Sequence, residues 1–148
     1  MKAGICLFVL PGVFAAAAGA GNSDTRAIVR LAPPQRAMVL AEMRQFLAGL
    51  QQITAALARD DLEHVAGVAH ALGSPMTRPM PADLRQALPE QFSAPGFPVY
   101  AGFDRVALDA AELGDSGHTL SQPGEILAQC NACHDGYRIQ EAGDPGDH

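Results

Sequence analysis

Two cysteines and a histidine near the end of the sequence have the spacing of a covalent cofactor site. Cys130 and Cys133 are three residues apart, so on a helix their sulfurs lie about one turn apart. His134 follows directly, and its imidazole can lie beneath a group that both sulfurs hold. Cys-x-x-Cys-His is the attachment pattern of c-type haem, in which thioethers fix the porphyrin and the histidine binds the iron. The sequence therefore predicts one covalently attached haem c, with its iron.

Other uses of a Cys-x-x-Cys pair suit this sequence less well. A redox dithiol normally lies beside a βαβ unit, and we find no strand pattern in the sequence. A zinc site needs four ligands, but there is no second cysteine pair and Cys6 lies in an N-terminal apolar run. A disulfide between two cysteines so close on one helix would be strained. Haem attachment is therefore the favoured interpretation.

The N-terminal residues have the pattern of an export signal. Lys2 precedes an apolar stretch over residues 3–18, and small residues at its end suit cleavage after Ala20. The apolar run is about 16 residues, shorter than the ~20 that a membrane-spanning helix needs. We therefore expect a signal peptide at 1–20 and a periplasmic protein with no membrane span after its removal. Both cysteines that remain then belong to the motif.

The charge of the chain limits its partners. The net charge is −6, and loss of Lys2 with the signal makes the remainder more acidic. An acidic surface disfavours nucleic acid and anionic membranes, and it permits a basic protein partner without identifying one. We find no nucleophile–base pair, no glycine-rich phosphate loop and no second metal site, so we expect no enzymatic activity. A redox partner protein is expected, but its identity is unknown.

Apolar spacing predicts two helices in the first half of the domain. Helix A is expected over 33–59, because two prolines suit its first turn and its apolar residues recur at three-and-four spacing. These residues are Met43, Phe46, Leu47, Leu50, Ile53 and Leu57. Asp60 and Glu63 have the spacing of a capping box for helix B, which Gly73 ends. Residues 21–32 show little periodicity, and we expect a loose lead-in there.

A proline-rich stretch separates these helices from two more. Six prolines lie between Gly73 and Val99, so we expect an ordered crossover with a short helical turn over 82–87. Helix C is predicted over 99–113. Thr119 and Gln122 can cap helix D, with Pro123 in its first turn. One face of helix D then carries Leu120, Leu127, Cys130, His134 and Tyr137.

Four amphipathic helices without strands predict an all-α fold, an antiparallel four-helix bundle with haem near the C-terminal helix. The bundle is expected over 33–142, and a disordered tail over 143–148. A bundle with the haem motif on its last helix resembles the cytochrome c-prime class. Tyr137 and Arg138 stand where that family has an aromatic residue and an arginine shortly after the motif. The resemblance covers about 33–59 and 99–140 and is weaker between them.

The resemblance implies a role for Arg138. This residue is four positions after His134, which on a continued helix would place both on the same face. The family pattern then implies that Arg138 contacts a haem propionate. A solvated arginine without this contact is the alternative.

The resemblance also leaves a choice of iron ligand opposite His134. Some members of the class have five-coordinate iron and bind NO or CO, whereas others place a methionine of helix A on the iron and transfer electrons. Met43 lies on the inward stripe of helix A, at a similar offset from the following turn, so it is the favoured ligand. A space-filling core methionine is the alternative. Met38, Met76 and Met80 are less well placed.

We therefore expect a periplasmic monohaem c-type cytochrome in electron transfer, with iron bound by His134 and Met43. The alternative function is a five-coordinate haem protein that binds small gases, and a haem subunit of an enzyme is a third reading. The resemblance also allows a homodimer through helices A and B, where Ala55, Ala56 and Ala58 could form a close contact or lie on the surface.

Overall fold

Helices dominate the part of the chain that the computed structural model describes, namely residues 24–77, 79–90 and 98–143. The longer helices there are α1 (Pro33–Leu57), α2 (Leu62–Leu72), α4 (Pro98–Glu112) and α5 (Ser116–Gly136), and a short α3 spans Ala82–Ala87. Two strands, β1 (Ala27–Leu31) and β2 (Tyr137–Glu141), flank them. The expected signal peptide, residues 91–97 of the crossover and residues 144–148 of the expected tail lie outside the described residues.

The helices lie where the apolar spacing predicts them, but one N-cap differs. The Asp61 carboxylate accepts a hydrogen bond from the His64 backbone N–H at 3.1 Å, so Asp61 rather than Asp60 caps α2. Asp60 has a φ of 61°, which lies in the left-handed region and lets the chain turn between α1 and α2. The predicted end of the second helix at Gly73 and the predicted helical turn over 82–87 are both confirmed.

The last helix begins earlier than predicted. Asp115 accepts a hydrogen bond from the His118 backbone N–H at 3.0 Å, so Asp115 is the N-cap and the predicted cap at Thr119 is wrong. Thr119 and Gln122 are buried inside α5, where Gln122 Nε2 donates to the Asp109 carboxylate of α4. Pro123 consequently lies inside the helix rather than in its first turn. The Ser116 hydroxyl donates to the Asp60 carboxylate and ties the start of α5 to the turn after α1.

The main core lies between α1, α2, α4 and α5. Its aromatic centre is Phe46 of α1, whose ring centroid is 5.5 Å from that of Phe103 and 5.4 Å from that of Tyr100, both on α4. Small residues let α1 and α2 approach closely, because Gly49 faces the Leu72 side chain. The buried members of this first cluster are Phe46, Leu50, Ile53, Ala56, Leu57, Val65, Ala69, Leu72, Val99, Phe103, Val106, Ala110 and Ile126.

A second, smaller cluster lies beneath the two strands. Its buried residues are Val29, Leu31 and Leu84, and Val39, Met80, Ala87, Leu88, Tyr137 and Ile139 pack against them. The strands pair in parallel, from Ala27 opposite Tyr137 to Leu31 opposite Glu141. The expectation of a loose lead-in is therefore wrong for Ala27–Leu31, and so is the expectation that the fold has no strands. Alternation explains the strand, because Val29 and Leu31 are buried while Ile28 and Arg30 are exposed.

The close approach of α1 and α2 gives a test of the packing. A Cβ at Gly49 would lie 1.9 Å from Leu72 Cδ1, whereas a Cβ at Gly67 meets nothing within 4 Å. Both glycines lie inside helices, so alanine gains about 0.5–1 kcal/mol of helix propensity at either position. We expect Gly67→Ala to stabilise the protein by that amount and Gly49→Ala to destabilise it by about 1–3 kcal/mol through overpacking. Urea unfolding followed by circular dichroism measures both, and equal effects would contradict the close contact.

Candidate functional site

The Cys-x-x-Cys-His residues lie together near the end of α5. Cys130 and Cys133 are half-buried, and neither forms a disulfide. Burial raises the pKa of both thiols above the ordinary value of 9.0, and the neighbouring Cys130 raises that of Cys133 further. Both sulfurs are therefore neutral thiols at pH 7. His134, one residue further, is exposed on the last turn of the helix.

The helix ends two residues after His134. The Tyr137 backbone N–H donates to the Cys133 carbonyl, and the chain then continues as β2 from Tyr137 onward. Arg138 is paired with Ile28 in the ladder, so the expectation that Arg138 lies on the same helix face as His134 is wrong. Gly136 favours this break, because glycine is a poor residue for continuing a helix.

Arg138 is nevertheless only four residues from His134 in sequence, and one N–H of its guanidinium group is not used in a hydrogen bond among the described residues. Its Nε lies 3.5 Å from Asp24 Oδ2, which is an ion-pair distance. The same nitrogen is buried and has no hydrogen-bond partner among the described residues. The contact with Asp24 is thus electrostatic, and one guanidinium N–H remains available for an acceptor.

The segment before β1 also contacts the end of α5. Arg26 Nη1 donates a hydrogen bond of 3.1 Å to the His134 carbonyl. Asp24 accepts from Arg26 Nε at 2.9 Å and from Nη2 at 2.7 Å. These hydrogen bonds lower the pKa of Asp24 from 3.8 to about 2. Arg26 was not identified from the sequence, since no motif includes it and 108 residues separate it from His134.

Met43 lies on α1 between the two hydrophobic clusters. Val39, one turn earlier, packs against the second cluster, and Phe46, one turn later, belongs to the first. Met43 is half-buried and belongs to neither cluster among the described residues. The other methionines that the structure describes lie elsewhere: Met38 is 52% exposed, Met76 packs on the first cluster and Met80 on the second.

The motif lies in the same interval on α5. Cys130 packs against the first cluster, and Tyr137, just past the helix, packs against the second. Cys133 and His134 therefore lie between the clusters along α5, as Met43 does along α1. Along the chain, α1 runs from the second cluster to the first, whereas α5 runs from the first cluster to the second. Met43 and the motif thus each lie between the two clusters along their own helices.

The apolar face predicted for the last helix differs from the buried one. Leu120 is 56% exposed and Leu127 42% exposed. The buried face of α5 is formed instead by Thr119, Gln122, Pro123 and Ile126. Polar pairing explains the difference, because the bond from Gln122 to Asp109 orients that side of α5 toward α4. On α1, Leu47, one turn after Met43, is also 65% exposed, so both helices present uncovered leucines.

The described residues offer no competing metal centre. Within 24–77, 79–90 and 98–143, no three side chains among His, Cys, Asp and Glu are grouped to hold a metal ion. Over the same residues, no helix has the length and hydropathy needed to cross a membrane.

Comparisons with known proteins return no relative. No protein-family model, no curated protein and no solved structure matches the chain. The site must therefore be interpreted from its own residues.

The Asp24–Arg26 contact predicts a pH effect on the end of α5. Because the pKa of Asp24 is lowered to about 2 from 3.8, the stability that it contributes is complete above pH 3.8 and is lost as the pH falls through 2. We expect the NMR shifts of the β2 amides to change over this interval. Asp24→Asn should abolish this titration, and a variant that titrates like the original protein would contradict the assignment.

Proposed function

We propose that this chain is an exported monohaem c-type cytochrome that transfers electrons. The observation that carries the proposal is the Cys130-x-x-Cys133-His134 motif, which lies at one helix end with two neutral, half-buried thiols. Three residues of two scarce types, cysteine and histidine, coincide at the spacing that c-type haem attachment requires. The N-terminal pattern of an export signal supports a periplasmic location. The resemblance to the cytochrome c-prime class belongs to the same proposal.

The residues around the motif fit a haem. Cys130 and Cys133 would hold it by thioethers, and the exposed His134 would bind its iron as the proximal ligand. Arg138 presents a buried Nε without a hydrogen-bond partner among the described residues. A propionate carboxylate is the acceptor that would satisfy this donor, so Arg138 retains its proposed contact although it reaches the site from β2. Bound haem supplies reversible one-electron chemistry, which the protein tunes through its ligands.

Met43 is proposed as the second iron ligand. It lies between the two clusters along α1, as Cys133 and His134 do along α5, which is compatible with α1 and α5 being antiparallel neighbours of the haem. Leu47 and Leu127 are exposed to solvent in the protein alone. With haem bound, they would pack against the apolar surface of the porphyrin. A thioether ligand closes the iron to gases and raises the reduction potential. These properties favour electron transfer over gas binding.

Covalent attachment is tested by cysteine substitution. The chain is produced in a host with periplasmic haem attachment, alongside a known c-type cytochrome as a loading control. We expect haem staining on a denaturing gel for the original chain and loss of this staining in the Cys130→Ala/Cys133→Ala double variant. Each single variant keeps one thioether and should shift the pyridine haemochrome band. An unstained original chain beside a loaded control would contradict the proposal.

The iron ligand is tested by absorption spectroscopy. We expect the reduced protein to be low-spin and its spectrum to be unchanged by CO. Met43→Ala should give a high-spin spectrum that shifts on CO addition, because no thioether then blocks the iron. Met38→Ala, on the exposed part of α1, is the matched control and should behave as the original protein.

Two outcomes separate the alternatives. A high-spin original protein that binds CO at once would assign the chain to gas binding with five-coordinate iron. A Met43→Ala variant that stays six-coordinate would exclude Met43 as the ligand and leave the motif assignment intact.

A further inference from the structure

We infer that Arg26 is a positioning residue for His134, acting through the backbone carbonyl of that histidine. The inference rests on the proposed haem site, in which His134 is the proximal ligand. It adds a part of the molecule that the motif does not contain, namely the segment before β1. The contact is direct, since Arg26 Nη1 donates to the His134 oxygen at 3.1 Å.

The His134 carbonyl lies in the last turn of α5. The last four carbonyls of a helix have no partner within it. Were α5 to continue, the Arg138 N–H would reach the His134 oxygen, four residues back. Arg138 is instead in the β1–β2 ladder, opposite Ile28. The Arg26 guanidinium thus supplies the hydrogen bond that the end of the helix removes.

Asp24 orients the Arg26 side chain. Asp24 accepts from its Nε and Nη2, which leaves Nη1 directed at the His134 carbonyl. A two-point contact between guanidinium and carboxylate fixes the plane of the guanidinium. Asp24 is itself held by a hydrogen bond of 3.2 Å from the Arg26 backbone N–H. The segment therefore presents Arg26 in one geometry.

The register of the strands places Arg26 next to the end of α5. The ladder begins with Ala27 opposite Tyr137, so Arg26 directly precedes the first pair and lies beside the end of α5. The side chains of Arg26 and Asp24 are 40% and 38% exposed, and an ion pair this exposed contributes little stability by itself. Its effect is local: it limits how far the last turn of α5 can rotate or fray.

Restraint of the last turn of α5 limits the orientation of His134, the proposed iron ligand. The His134 ring is attached to the backbone whose carbonyl Arg26 holds, so the guanidinium sets the range of imidazole orientations. It also places a positive charge at the negative end of the helix dipole, where the Asp24 and Asp135 carboxylates partly offset it. Loss of Arg26 should broaden the ligand geometry and lower the reduction potential.

The test compares Arg26→Ala with Arg26→Lys and Arg105→Ala. Lysine keeps the charge and one donor but cannot make the two-point contact with Asp24. Arg105 of α4 pairs at 3.9 Å with Glu125, well before the end of α5, so its loss removes the same charge without touching the last turn. In the haem-free chain we expect Arg26→Ala to speed exchange of the Tyr137 amide about three- to tenfold. Arg26→Lys should restore part of the protection, and Arg105→Ala should leave it unchanged.

The haem-loaded protein gives a second readout. We expect Arg26→Ala to lower the reduction potential and to broaden the electron paramagnetic resonance signal of the ferric form, relative to Arg105→Ala. If Arg26→Ala and Arg105→Ala match in amide exchange, potential and spectrum, the role of Arg26 is wrong while the haem site stands. If the original chain takes up no covalent haem, the proposed function fails, and the ligand role of Arg26 fails with it.

Discussion

The parallel pairing of β1 with β2 is the constraint on which the site depends. It joins the first and last described elements, ends α5 at Gly136 and brings Arg26 against the His134 carbonyl. If α5 instead continued as a helix past His134, Tyr137 and Arg138 would lie on the surface of that helix and not in the ladder. The short ladder thus decides which side chains surround the motif and from which direction they reach it.

The helices were readable from the sequence because their signals are local. Apolar residues at three-and-four spacing placed α1, α2 and α4, and Gly73 marked an end correctly. The caps were harder, since adjacent aspartates such as Asp60 and Asp61 are equally suitable by type, and only the backbone decides which one accepts a bond. The ladder was missed because each strand has five residues and its partner is distant in sequence.

The candidate site likewise contains some residues that the sequence predicts and others that it does not. Cys130, Cys133 and His134 were predicted because their chemistry depends on sequence spacing, which a helix converts directly into geometry. That Met43 lies between two clusters could not be predicted, because the second cluster packs on strands that the sequence pattern does not show. Nor could the outward turn of Leu127, because it follows from the polar pairing of Gln122 with Asp109 across two helices. Arg26 could not be predicted either, because its role depends on a contact with His134, 108 residues away in the sequence.

The second cluster is smaller than the first, so the two parts of the molecule differ in buried apolar contact. Among the described residues, three buried side chains lie beneath the ladder, in contrast to the many that join α1, α2, α4 and α5. Local opening free energies follow such differences in buried apolar contact. We therefore expect the ladder to open at a lower free energy than the main core, so that the end of α5 that carries the motif becomes accessible without global unfolding.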